Sequence, residues 1–92
     1  MRFMMVKNQL KFPTCITTEI YCLDIVLNMM DIAKISEDEA FQRINLYWEG
    51  KDFTSEDDIV FHEGPDYWAK RIYYEQLDWW NYKQEELTPR KV

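Results

Sequence analysis

From Thr17 to about Lys34 the polar residues Asp24, Asn28 and Asp31 fall at helical spacing and form one narrow stripe. Ile20, Leu23, Ile25, Val26, Leu27, Met29, Met30 and Ile32 occupy the rest of the circumference. The pattern predicts a helix buried on most of its sides, with Thr17 or Thr18 as its N-cap. Ser36-Glu37-Asp38-Glu39 then has the form of a capping box, in which the serine hydroxyl accepts from the Glu39 amide and the Glu39 carboxylate reaches back. A second helix is expected to follow, carrying Ala40, Phe41, Ile44, Tyr47 and Trp48 on one face, with Gly50 placed to end it in a left-handed conformation.

Thr54-Ser55-Glu56-Asp57-Asp58 repeats the pattern of a helix start ahead of Ile59-Val60-Phe61 and predicts one or two helical turns. A short strand over 59–61 is the competing reading. Gly64-Pro65 opens a last helix, since proline suits the first helical position. Trp68, Ile72 and Trp79 lie near one of its faces and Tyr73, Leu77 and Trp80 near the adjoining one, which carries it to about Tyr82 or Glu86 before Thr88-Pro89 stops it. At the other end, Phe12-Pro13 interrupts any regular structure. The expected fold is therefore mostly α: a compact three- to four-helix domain with an extended N-terminal arm. Its 92 residues form one small domain, divided into arm 1–16, helical core 17–87 and tail 88–92, because a chain of this length does not divide into two stable cores.

Charge changes the picture. The segment 31–66 holds eleven carboxylates against three bases, a net −8 within a chain whose formal charge is −6. Eleven of the fifteen aromatic residues lie between Tyr47 and Tyr82, so acid and aromatic density overlap. Direct nucleic-acid binding is disfavoured, because the Lys and Arg residues are scattered and the net charge repels phosphate. Arg90 and Lys91 read as a solvated end. No apolar run approaches the roughly 18–20 residues of a membrane span, and the expected location is the cytoplasm. Cys15 and Cys22 lack a second ligand pair and read as small buried hydrophobes.

Few groups suggest catalysis. His62 is the sole histidine, and neither pairing it with Cys15 nor grouping it with Glu63 and Asp66 around a metal matches a recognised spacing. The sequence is read as non-enzymatic, with no catalytic residue, metal or cofactor. The acids at helix starts are explained in part by capping, and many rings by the core. What capping and core leave over is a partner-binding set of Glu37, Asp38, Glu49, Glu56, Asp57, Asp58 and Glu63, anchored by Tyr74 and Trp80, which are expected to be exposed. In composition the chain resembles antitoxins, phage-encoded inhibitors of host defence and DNA mimics. That likeness implies a module that masks a basic surface on a nuclease, toxin or nucleic-acid-binding protein. The alternative is an accessory subunit that buries its surplus aromatics against a second copy, as a homodimer.

Overall fold

A computed structural model describes residues 9–91. Three α-helices lie within them: α1 (Ile16–Ala33), α2 (Glu37–Tyr47) and α3 (Pro65–Tyr73), accompanied by single 3-10 turns at Ile59–His62, Trp79–Asn81 and Gln84–Glu86. The fold is mostly α. α1 packs against both α2 and α3 and makes its larger contact with α3.

The first eight residues of the expected arm lie outside the described residues, but its remainder is tied down. Asn45 on α2 accepts from the Lys11 amide at 2.8 Å and donates to the Gln9 carbonyl at 2.7 Å, which draws Leu10 and Phe12 into the core. The Phe53 amide donates to the Pro13 carbonyl, forming a parallel bridge between Thr14 and Phe53.

The N-cap of α1 is Cys15 rather than a threonine. Thr18 acts one turn in: its hydroxyl accepts from the Cys15 amide at 2.8 Å and donates to the Phe53 carbonyl at 2.6 Å, so it satisfies a helix-end donor and a distant loop together. α1 ends at Lys34 in a left-handed conformation, φ 56°. Its burial is narrower than the sequence suggests. Ile16 is 74% exposed and Ile20 and Leu27 are each 49% exposed, because no element of the described residues covers that side.

α2 starts as expected, with the Ser36 hydroxyl accepting from the Glu39 amide. The other half of the box is replaced: Glu39 turns to Arg43, 2.8 Å away on the next turn. Gly50 follows α2 with φ 82°.

Phe53, fully buried, sits among the rings of Phe12, Tyr21, Trp48 and Phe61, with centroids 5.3–6.5 Å away. Trp68 packs against Trp48 in a tilted arrangement, with centroids 5.6 Å apart. Much of the aromatic excess is therefore core.

The region 54–63 forms neither a strand nor a regular α-helix. Asp58, not Thr54 or Ser55, caps the 3-10 turn by accepting from the Val60 amide. The turn is held from outside, by Trp68 Nε1 donating to the Val60 carbonyl at 2.9 Å and by the Tyr21 hydroxyl donating to the Glu63 carbonyl.

The last helix is shorter than its periodicity predicts. α3 stops at Tyr73, and the chain doubles back so that Tyr74 pairs with Pro89. Arg90 ends it, donating from Nη2 to the carbonyls of Arg71 and Tyr74 at 2.9 Å and from Nε to that of Ile72 at 3.3 Å. These are the carbonyls that a helix C-terminus leaves unpaired, so Arg90 is a structural cap and not a solvated end.

Candidate functional site

The residues expected to bind a partner fall in three places. Tyr21, near the start of α1, bonds the chain just ahead of α3, while Asp31, Ile32 and Lys34 at its other end share a groove with Lys70 of α3 and with Tyr74 just past its end. α1 and α3 thus run in the same direction and define two ends of the molecule. At about 1.5 Å per residue, the helix from Tyr21 to Ala33 separates them by roughly 18 Å.

At the starting end lies the acidic loop. Glu56, Asp57 and Glu63 are exposed, and so are Asp52 and Asp66. Residues 51–66 carry six carboxylates and one lysine. That lysine is already engaged: Lys51 Nζ lies 2.9 Å from Asp58, whose side chain is only 13% exposed. Burial opposes the Asp58 charge, but the Val60 amide and the Lys51 ammonium outweigh it and hold the carboxyl below its ordinary value. Asp58 is thus a capping and ion-pair residue, while Glu56, Asp57 and Glu63 make no salt bridge among the described residues. Ile59, next to Asp58 in the same loop, is 77% exposed. This isoleucine, one residue past a cap, is an exposed apolar side chain that sequence reading did not single out. Val60 beside it is buried in the core.

His62 shares a shallow depression of about 370 Å³ with Glu56, Asp57, Asp58 and Phe61. Neither cysteine touches it. Cys15 is half-buried and its sulfur contacts the Thr18 hydroxyl at 3.6 Å. The backbone amide of Thr18, then its hydroxyl, hold the Cys15 thiol below its ordinary value, so Cys15 is a helix-end thiol rather than the buried hydrophobe expected. Cys22 is fully buried, and burial pushes its thiol up to about 12. Among the described residues no three His, Cys, Asp or Glu side chains are placed to hold a metal ion, so His62, Glu63 and Asp66 do not form one site.

At the opposite end a groove of about 520 Å³ runs between the end of α1 and the returning tail, lined in part by Trp79, Trp80, Tyr82, Lys34, Lys70 and Leu87. Trp80 is 66% exposed and Tyr82 42%, so Trp80 is presented to solvent as the sequence predicted. Tyr74 is not. It is 7% exposed, since the turn back at Tyr74 folds its ring under the tail, against Tyr73. Had α3 continued to Tyr82, Tyr74 would have stood on an open helix face; the pairing with Pro89 removes that face. Glu37 and Asp38 follow Lys34 at the same end, in the first turn of α2.

Glu49 follows directly on the C-cap of α2. It borders a third hollow with Lys11, Gln42, Asn45 and Leu46. The overlap of acid and aromatics along the sequence therefore separates in space into an acidic loop with an apolar knob and an aromatic groove. No helix of the described residues is long and apolar enough to cross a membrane.

No protein-family model matches the chain, and no curated protein and no solved structure matches it either.

Proposed function

We propose that the protein is a non-catalytic binding module that masks a basic surface on another protein, in the manner of an inhibitor or antitoxin, and that the acidic loop 52–66 makes the contact. One observation carries this reading: Glu56, Asp57 and Glu63 are exposed and make no salt bridge among the described residues, in the same loop as the exposed side chain of Ile59. The carboxylates raise the rate of encounter with a basic patch, and Ile59 supplies the dehydrated contact that charge alone does not. The partner's basic surface belongs to a nuclease, a toxin or another nucleic-acid-binding protein. Line-by-line imitation of phosphates is not part of the proposal, because Glu37 and Asp38, Glu49, and the loop acids lie in three places rather than in paired rows.

The test is affinity capture from the native host with the wild-type chain and with the triple variant Glu56→Lys, Asp57→Lys, Glu63→Lys. These surface changes are expected to shift stability by no more than about 0.5 kcal/mol. A basic protein retained by the wild type, released by salt and at least about tenfold weaker on the variant supports the proposal. Equal retention by both chains, or an association rate indifferent to salt, sinks it.

A second reading is favoured by one other observation. Ile16, Ile20 and Leu27 form an exposed apolar stripe along α1, suited to burial against a second copy. Light scattering decides it: a strict monomer at millimolar concentration ends this reading, and a dimer abolished by Leu27→Glu upholds it.

A further inference from the structure

Two of the three arginines among the described residues, Arg71 and Arg90, converge on one tyrosine, although the sequence scatters them. Arg71 Nε donates to the Tyr47 hydroxyl at 3.0 Å. The Arg90 guanidinium lies over the Tyr47 ring, 5.6 Å from its centre. Arg43 and Arg90 also line, with Leu46, Tyr47, Ile72 and Lys91, a cavity of about 260 Å³. Every charged residue on its wall is a cation, in a chain whose formal charge is −6. Glu39 engages Arg43 alone among these cations.

The donors are not used up by the fold. Arg90 spends Nε and Nη2 on the three carbonyls that end α3, and its Nη1 makes no hydrogen bond among the described residues. Tyr47 accepts from Arg71, which leaves its own hydroxyl hydrogen to donate. Lys91 is exposed at the rim. The rest of the wall is apolar, with Leu46 half exposed and Ile72 below it. A water molecule occupies about 30 Å³ in the liquid, so the cavity has the volume of roughly nine waters, close to one ring with an acid group.

We propose that this cavity binds a small organic oxyanion, a carboxylate or a phosphate monoester, that carries an apolar substituent. Its oxygens accept from Arg90 Nη1, the Tyr47 hydroxyl and Lys91 Nζ, while the substituent lies against Leu46 and Ile72. Guanidinium and ammonium donors give charge-assisted bonds, and the apolar wall distinguishes such a ligand from a bare inorganic ion. The site is separate from the acidic loop and does not depend on the function proposed above.

The test is an NMR titration of the full chain at low salt with phenyl phosphate, 3-phenylpropionate, inorganic phosphate and, as an uncharged control, benzyl alcohol. Saturable shifts at Leu46, Tyr47, Ile72 and Arg90 at millimolar phenyl phosphate or phenylpropionate are expected, and whichever of the two binds assigns the acid group. Inorganic phosphate is expected to bind at least about tenfold more weakly, for want of the buried ring. Lys91→Glu is expected to weaken the organic anion about tenfold by placing a like charge at the rim. Leu46→Gln is expected to weaken phenyl phosphate several-fold and leave inorganic phosphate unchanged. Both positions are exposed, so the unfolding temperature should hold. The proposal is overturned if shifts fail to saturate with either organic anion, if benzyl alcohol binds as well as phenyl phosphate, or if Lys91→Glu retains full affinity.

Discussion

Helices in the first half of the chain end on local groups, whereas the helix in the second half ends on a distant one. α2 begins on Ser36, α1 stops where Lys34 turns left-handed, and Gly50 turns left-handed just past the end of α2. α3 instead stops where Arg90, sixteen to nineteen positions further on, caps the carbonyls of Arg71, Ile72 and Tyr74. A locally capped end is specified by a few adjacent residues and survives changes elsewhere. An end capped from afar exists only while the tail is docked, so its stability and that of the tail are one quantity.

Arg90→Ala should therefore be the most costly way to break the contrast. It strips a charged donor from three carbonyls and frees the Arg43 bond to the Arg90 backbone to loosen with the tail. A loss of about 3 kcal/mol in urea unfolding is expected, with a change in tryptophan fluorescence as Trp79 loses its packing on Tyr67. Arg90→Lys should recover less than half, because one ammonium cannot reproduce a planar fork aimed at several oxygens. A loss below about 1 kcal/mol would show that α3 ends for local reasons after all.

Thr18→Val comes next and probes a long-range clamp in the first half. Valine keeps the shape but leaves the Cys15 amide and the Phe53 carbonyl without the partner they share. Thr18 is fully buried, so water cannot replace the hydroxyl, and the expected cost is about 2 kcal/mol. Thr18→Ser should restore most of it. Equal stability of the valine and serine variants would mean that the hydroxyl is not what joins α1 to the loop.

The same contrast explains what could be read from the residues. The starts of α2 and α3 were legible because Ser36 and Pro65 act within one turn of themselves. The exposure of Trp80 was legible because two adjacent rings on a turn cannot both be buried. The end of α3 was not, since Tyr73-Tyr74-Glu75 contains no breaker and periodicity continues through Trp79 until Arg90 is brought near. Tyr74 was misplaced for the same reason. The outward face of Ile59 was not legible, because an apolar run does not show which member a one-turn 3-10 segment will face outward. The acids were recognised individually, but their division between two ends of the molecule depends on α1 and α3 running in the same direction, which no short window contains.

The smallest expected effects sharpen the local side of the comparison, at the two left-handed positions. Gly50 has φ 82°, and a Cβ there would meet nothing within 4 Å. Gly50→Ala therefore carries only the backbone cost of a left-handed alanine, about 1 kcal/mol. Lys34, at φ 56°, already bears that cost. Lys34→Gly relieves it against the greater freedom that glycine gives the unfolded chain, for a net gain of about 0.5 kcal/mol. The change also removes an ion pair to Asp31, but at 3.8 Å, with both side chains more than 80% exposed, that pair contributes little. Opposite signs at the two positions in thermal unfolding are the expected result. If both substitutions prove neutral, backbone conformation is not what ends α1 and shapes the turn after α2, and their ends too would have to be held by packing from a distance.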